Sequence, residues 1–484
     1  MNRLIVHLGD ARRVISFEGT PLLAAILREY GFTVSTPCGS AGICGRCGVT
    51  ADGDLQPPPR SGRVLACSTR LTGNAEVWLQ APDDFQNIAL ANQLPVMDLK
   101  PFIQGPGLAV DIGTTTLAAM LTDHTGQVLA AAAASNPQAS LSDNVIGRIS
   151  FALHGQGDAL SRSVISAIDA LRTQVCRTAG IHPAAIEHTV ITGNTAMLYF
   201  YSNYNPRTLS AAPFQADHLF GEWVSSSTYL PHCIGAFLGA DLLMAILASG
   251  MCEREETALL ADIGTNGEIA LWHQGRLLCT AAAAGPAFEG GGISQGMGSV
   301  SGAIDTVRVH GEDLAVTTIA GAPARGICGS GLIDAAAALL KLGRMEVTGR
   351  LTRTGEPLTK EVHLSQKDIR QLQLAKGAVA AAMGTLCHGA GISSQEIRRF
   401  YLAGGFGTHM NEHNAADIGL ISKVLADRTI SLGNAALTGA AMLLLNRDLL
   451  DRSRQLAQLA EAVSLNSNAT FSELFTERML FEPF

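Results

Sequence analysis

The sequence predicts two folds in series: a small α+β domain over residues 1–82, then an α/β body of two similar lobes over residues 107–484. Three observations carry that prediction. Two alternating apolar runs, RLIVHL (3–8) and RVISF (13–17), flank the turn GDAR and lead into a helix and a cysteine-rich loop. An apolar strand, Asp-Ile-Gly-Thr, small polar residues and a second apolar strand occur twice, as LAVDIGTTTLAAML (108–121) and LLADIGTNGEIALW (259–272). The length of 484 residues also exceeds what one core organises, since domains typically run to roughly 50–200 residues.

In chain order, Thr20-Pro21 opens the helix LLAAILREYG, with proline in its first turn and Gly31 at its end. The loop PCGSAGICGRCGV (37–49) follows, then short strands, Cys67 within RVLACSTRL, and the closing strand EVWLQAP (76–82). Residues 83–106 keep no period and are broken by prolines, so they read as a linker, either a hinge or a packed tether. The repeat divides the remainder into a first lobe, 107–255, and a second, 256–484, facing one another.

Composition narrows the class. An apolar content of 47% describes a globular protein, and a net charge of −8 without a Lys/Arg tract excludes a nucleic-acid surface. The 51 glycines exceed the usual share of about 7%, and many sit beside Asp, Thr or Asn, as in phosphate-binding loops. The N-terminus lacks the apolar run of a signal peptide. The most apolar stretch, GAFLGADLLMAILASGM (235–251), is short for a membrane span and carries Asp241, so it reads as a core helix. Ten cysteines in this context point to reduced thiols or metal ligands, and the expected location is cytoplasmic, with no membrane association.

Cys38, Cys44 and Cys47 share one glycine-rich loop in a C-x5-C-x2-C spacing, and Cys67 supplies a distant fourth thiol. Four thiolates suit tetrahedral zinc or a 2Fe–2S cluster. Zinc sites usually pair two C-x2-C knuckles, and only one such pair exists here, so the spacing favours the cluster over zinc or unliganded thiols. Plant-type ferredoxins use C-x4-C-x2-C, one residue shorter.

The two hairpins supply the second chemistry. Glycine after Asp permits a tight turn whose amides and hydroxyls meet a phosphate oxygen, which selects Gly113, Thr114 and Thr115 in the first lobe and Gly264, Thr265 and Asn266 in the second. Asp111 and Asp262, one per lobe, can hold hydrated Mg²⁺ between them or orient a water for attack on a terminal phosphate. One such turn is common in ordinary sheets; the tandem is the informative feature. Glu289, in GPAFEGGGISQGMG (285–298), is a further candidate for positioning water or Mg²⁺, or a structural glutamate. FYLAGGFGTHM (400–410) runs a strand into Gly404-Gly405-x-Gly407, and GICGSGL (326–332) sets Gly329 and Ser330 at a helix start. Lys367, Arg370 and Lys376 lie on a helical stretch that either reaches a ribose or forms a solvated face, and the remaining six cysteines read as buried apolar residues.

These motifs carry a family resemblance. The N-terminal domain resembles a β-grasp ferredoxin, and the hairpins with the Gly-Gly turn resemble the actin-like ATPase superfamily, whose tandem lobes are ribonuclease-H-like. In that superfamily VITGNTAMLYF (190–200) and GICGSGLIDAAAALL (326–340) correspond to the first and second connecting segments, the latter with its helix at the lobe interface. GNTAM, LADIGTNGEIAL, AAGPAFEGGGI, GICGSGL, QKDIRQLQLAKGA, YLAGGFG and GNAALTGA occur in this order in the reductive activators of corrinoid proteins, which also share the x5 spacing. The resemblance implies ATP, Mg²⁺ and a 2Fe–2S cluster as cofactors. It further implies ATP-dependent transfer of one electron to Co(II) of a corrinoid protein or cobalamin-dependent methyltransferase, such as a methionine synthase or a demethylase corrinoid protein, regenerating Co(I). An upstream flavin or ferredoxin reductase and a homodimer fit the same picture. A rival reading is a ferredoxin-type electron-transfer subunit whose ATPase lobes sense nucleotide without driving transfer. Two departures stand out: larger family members carry a middle domain where this chain has only the linker, and Asn144, in SDNVIGRI, replaces the family's usual Asp.

Overall fold

A computed structural model describes residues 2–8, 11–30, 32, 34, 47–59, 62–79, 94–142, 144–264, 266–407 and 409–484. In the N-terminal domain, β1 (Asn2–Leu8) and β2 (Ala11–Phe17) form the expected hairpin, followed by α1 (Leu23–Glu29), β3 (Gly48–Gln56), β4 (Arg63–Leu65) and β5 (Arg70–Leu79). The sheet order is β2-β1-β5-β3-β4, with β1 and β5 parallel, the mixed arrangement of a β-grasp. Alternation along β5 buries Leu71, Ala75, Val77 and Leu79 in the core that also takes Leu23, Ile26 and Leu27 of α1. The helix starts two residues later than its proline suggests, because the Pro21 carbonyl accepts from Leu71 N at 2.9 Å and stays in extended chain.

The first lobe is built from β6 (Gly107–Ile112), β7 (Thr116–Thr122), β8 (Val128–Ser135), α2 (Val145–Phe151), α3 (Gly157–Ala179), β9 (His188–Gly193), α4 (Thr195–Tyr201), β10 (Glu222–Trp223), β11 (Thr228–Leu230) and α5 (Ala240–Ser249). The second begins with β12 (Ala258–Ile263), β13 (Gly267–His273), β14 (Arg276–Ala282), β15 (Ala303–His310), β16 (Asp313–Thr318), β17 (Gly326–Ile327) and α6 (Gly329–Lys341). It continues with β18 (Glu356–Pro357), β19 (His363–Leu364), α7 (Gln366–Ala390), β20 (Arg399–Ala403), α8 (Glu412–Asp417), α9 (Lys423–Ala426), β21 (Thr429–Gly433), α10 (Ala435–Leu445), α11 (Asp448–Leu459), β22 (Ala460–Ala462) and α12 (Ala469–Arg478).

The duplication read from the two hairpins extends to topology. One sheet runs β10-β11-β9-β6-β7-β8 and the other β21-β20-β12-β13-β14-β22. In each, three antiparallel strands continue through two parallel ones on the side of the first strand. Strands β6 and β12 are apolar on both faces, as central strands covered on two sides must be, and in each the aspartate alone is not buried.

A separate apolar core joins the lobes. It takes Leu242–Leu247 of α5 and most of α10, together with Ala109, Met120 and Val190 from one sheet and Leu260, Ala270 and Tyr401 from the other. Helix α5 is therefore the core helix expected of residues 235–251, and no helix among the described residues is long and apolar enough to cross a membrane. Helix α6 departs from expectation. Its Leu332, Ile333 and Ala335–Leu339 sit in the interior core of the second lobe, so α10 rather than α6 is the interface helix. Residues 94–106 are a packed tether: Ile103 is buried in the joining core, and Lys100 exchanges backbone bonds with Leu445 at 2.9 Å and Arg447 at 3.0 Å.

Helices α5 and α10 cross at Gly439, where a Cβ would lie 2.2 Å from the Met244 carbonyl oxygen. Gly439→Ala is expected to destabilise the protein by roughly 1–3 kcal/mol through overpacking. Gly389→Ala, at a helical position with nothing within 4 Å, is expected to be neutral or stabilising by up to about 1 kcal/mol. Unfolding midpoints of the two variants check the contrast; an unchanged Gly439→Ala midpoint would contradict the close crossing.

Candidate functional site

Both aspartates stand one residue from the ends of their strands, Asp111 opposite Ala118 and Asp262 opposite Glu268. The turns close through Gly113 N to Thr116 O at 2.9 Å and Gly264 N to Asn266 O at 3.0 Å. Thr115 Oγ1 donates to Glu289 Oε2 at 2.9 Å, so a hydroxyl of the first lobe meets a carboxylate of the second. Glu289 ends the one-turn 3-10 helix Pro286–Glu289, and its other oxygen lies 3.2 Å from where a Cβ on Gly264 would be. Glu289, Thr115 and both Asp-Ile-Gly-Thr turns thus share one interlobe cleft.

Two asparagines complete it. Asn434 caps α10 by accepting from Leu437 N at 2.8 Å, and its Nδ2 donates to Asp111 Oδ2 at 3.0 Å. Asn194 caps α4 by accepting from Met197 N at 3.1 Å and donates to Thr114 Oγ1 at 3.2 Å. The sequence marked both only as members of GNTAM and GNAALTGA; the shared Gly-Asn at a strand end was the available signal.

Asp241, at the N-terminus of α5, is the residue that sequence reasoning missed. Asp111 is pushed up to about 7, by burial first and then by the Asp241 charge, with the Asn434 hydrogen bond opposing both. Asp262 is also pushed up to about 7, by burial first and then by Asp241, Asp111 and Glu289. Asp241 itself rises to about 6 through burial, and Glu268 rises well above the usual range through burial with Asp241 and Asp262 beside it. These carboxylates oppose one another's ionisation, and the cleft is short of positive charge. Among the described residues no three His, Cys, Asp or Glu side chains form a ready-made metal site, so a cation bridging Asp111 and Asp262 would be held through water.

Gly404 follows β20 at φ +88°, and a Cβ there would lie 2.6 Å from Asp262 Oδ1, so the Gly404-Gly405-x-Gly407 turn abuts the carboxylate of the second hairpin. Phe406 of that turn stacks on Phe288 at 4.9 Å between ring centroids. Gly329 packs between them, with the Phe288 carbonyl oxygen 1.9 Å and a Phe406 ring carbon 2.8 Å from its would-be Cβ. Ser330 follows, its hydroxyl 3.2 Å from Cys328 Sγ. Lys367 and Arg370 are exposed, in line with a solvated face, whereas Lys376 is not. Its ammonium is buried against the Arg478 and Leu480 carbonyls at 2.6 and 2.5 Å, with the Phe481 ring beneath it. It therefore clamps the C-terminal segment and reaches neither ribose nor solvent.

In the N-terminal domain Cys47 and Cys67 are both buried, and their sulfurs lie 3.1 Å apart. Residues 47 and 67 meet because β3 begins just after the first and β4 ends just before the second, Ala66 N bonding Cys47 O at 2.9 Å. Cys38, Cys44 and Thr265 lie outside the described residues. Cys176, Cys233, Cys252, Cys279, Cys328 and Cys387 are buried, as expected of apolar packing, and burial pushes the Cys233 and Cys252 thiols up to about 12.

The tandem sheets and the carboxylate cleft define a two-lobed ATPase-type fold, and residues 256–483 match the profile described as the C-terminal domain of RACo, the ASKHA domain. A solved reductive activator for a corrinoid, iron-sulfur protein superposes with a TM-score of 0.71 at 25% identity, covering 99% of this chain and 98% of the other. The corrinoid activation enzyme RamQ of Eubacterium limosum is 30% identical over 78% of this chain and 70% of its own length. A Methanosarcina barkeri protein named as a reductase of the Co(II) methylated amine-specific corrinoid protein is 26% identical over 76% of each. The chain belongs to the RACo family of reductive activators of corrinoid proteins. Residues 106–254 match the RACo middle region, so the region expected to be missing is present and coincides with the lobe bearing the first hairpin.

The cleft charges couple stability to pH. Each raised carboxylate holds its proton more tightly folded than unfolded. Its stabilising contribution is complete below about pH 4 and is lost as pH rises through its folded value, about 6 for Asp241 and about 7 for Asp111 and Asp262. Asp241→Asn is therefore expected to raise the nucleotide-free unfolding midpoint at about pH 7.5, and to raise it less at about pH 5. Equal gains at both pH values would count against a repulsive cluster.

Proposed function

We propose that this chain is an ATP-driven reductive activator that delivers one electron to the Co(II) of a corrinoid protein, returning it to Co(I). The observation that carries the reading is the convergence of Asp111, Asp262, Glu289 and Thr115 on one interlobe cleft, in a chain whose N-terminal domain also brings Cys47 and Cys67 together. Two buried thiols 3.1 Å apart fit two ligands of a 2Fe–2S cluster, and Cys38 and Cys44 would supply the other two. The cluster, when bound, supplies a single low-potential electron, plant-type centres lying near about −400 mV.

The chain's own residues supply the rest. Asp111 and Asp262 would hold Mg²⁺, whose charge would offset their mutual repulsion and that of the phosphates. The Gly113–Thr115 and Gly264–Asn266 turns cradle the phosphate oxygens, and the Gly404-Gly405-x-Gly407 and Gly329-Ser330 segments take the adenosine. Glu289 or one of the aspartates orients the attacking water. An ATP phosphate competing for Thr115 would replace the Thr115–Glu289 bond, so nucleotide and lobe closure are linked by differential binding.

The family resemblance implies a cobalt couple below the donor, and an energy source is then needed. Each 30 mV costs about 0.7 kcal/mol for one electron, so a gap of order 100 mV costs about 2 kcal/mol. A nucleotide-linked change in affinity for the partner meets that cost. The relatives' names favour a corrinoid protein of a methyl-transfer system as the substrate, and electrons would arrive from a flavin or ferredoxin reductase.

The test is anaerobic reduction of a Co(II) corrinoid protein by the reduced chain, followed by Co(I) absorbance. ATP with Mg²⁺ is expected to raise the Co(I) yield at least tenfold, and the Co(II) partner to stimulate ATP hydrolysis. Equal yields with and without ATP would reduce the lobes to a nucleotide sensor. Cys67→Ser is expected to abolish electron transfer and the visible iron–sulfur absorbance while leaving ATP binding within twofold of wild type.

A further inference from the structure

The phosphate hairpin of the first lobe is tied down from behind by a segment that has no role in the reading above. Strand β8 runs directly into Asn136-Pro137-Gln138, and α2 follows with Arg148 in its last turn. All three carbonyls of the Gly113-Thr114-Thr115 turn are engaged by these residues. Gly113 O accepts from Asn136 Nδ2 at 2.8 Å, Thr114 O from Arg148 Nη2 at 2.6 Å, and Thr115 O from Asn136 N at 2.8 Å. The amides of Thr114 and Thr115 take no acceptor among the described residues.

The tie is built deep. Arg148 is fully buried, as is Gln138, and Asn136 is 1% exposed. The guanidinium also donates to Ser142 O at 2.9 Å and to Gln138 Oε1 at 3.3 Å, and Gln138 Nε2 is held by Leu160 O at 3.0 Å. Asn144, which stands where an Asp was expected, caps α2 by accepting from Gly147 N at 2.8 Å, fixing the helix that presents Arg148. A turn whose carbonyls are all occupied on one side offers its amides and hydroxyls on the other, as an anion nest requires.

We propose that Arg148, with Asn136, is a positioning residue that holds Gly113-Thr114-Thr115 in its polyphosphate-binding form. The inference rests on the nucleotide reading above and adds a residue to it. Arg148 does not reach the nucleotide; it acts through the Thr114 carbonyl, so its loss is felt by the distal phosphates and not by the adenosine.

Full-length protein carrying Arg148→Lys keeps the buried charge and loses the fork; Asn136→Ser keeps a cap and loses the reach to Gly113. Binding of Mg·ATP and of AMP is measured by calorimetry, with the nucleotide-free unfolding midpoint as the folding control. Each folded variant is expected to bind Mg·ATP at least tenfold more weakly than wild type, with AMP affinity within twofold of wild type. If Arg148→Lys does not fold, Asn136→Ser decides. ATP affinity within twofold of wild type in a folded variant, or equal losses for ATP and AMP, overturns the positioning role. Wild-type protein that binds no ATP removes the nucleotide reading itself, and the inference with it.

Discussion

Mutual repulsion among buried and half-buried carboxylates is the constraint that the cleft has to meet. Asp111, Asp241, Asp262 and Glu268 come from a strand of one lobe, an interface helix, and two strands of the other lobe. Isolated charges in such surroundings neutralise or find a counter-charge. Here the framework holds them together: Asp111 sits beside Asn434 at the start of α10, and Asp241 opens α5. Both helices that join the lobes thus begin at the cleft.

The glycines around the cleft serve the same end. Gly404 lets a loop of the second lobe abut Asp262, and Gly439 lets α10 approach α5 closely enough to bury one continuous apolar core. A side chain at Gly404 would meet the Asp262 carboxylate, and one at Gly439 the Met244 backbone. The site and the hinge share one geometric requirement, close approach, and the chain meets both with glycine.

Much of this was legible in the sequence. The Asp-Ile-Gly-Thr repeat gave the duplicated sheets, because an apolar run ending in a charged residue and glycine permits few structures besides a central strand and its turn. Asp241 was hidden inside the longest apolar stretch, where it looked like a tolerated exception within a core helix; only the fold reveals that the helix begins at the cleft. The placement of α6 was misjudged for a related reason. An Ala- and Leu-rich face says that a helix is buried but not against what, and α6 and α10 both present one. Lys376 looked solvent-facing because the chain that covers it, residues 478–481, lies about a hundred positions downstream. Asn136 and Arg148 are ordinary polar residues in the sequence and acquire meaning only when three carbonyls of a distant turn are counted.

The tether has a mechanical consequence. Residues 98–103 are stitched to the C-terminal end of α10 by backbone bonds and by Asn446 Nδ2 to the Asp98 carbonyl at 2.9 Å. Helix α10 begins at the Asp111 cleft and ends at this seam, so it is a rigid rod with the nucleotide-side machinery at one end and the chain's exit toward the N-terminal domain at the other. A rod of 11 residues is about 16 Å long. Any pivot about its crossing with α5 would become a displacement at the seam. In the function proposed above, electron delivery would then be a matter of leverage as well as potential.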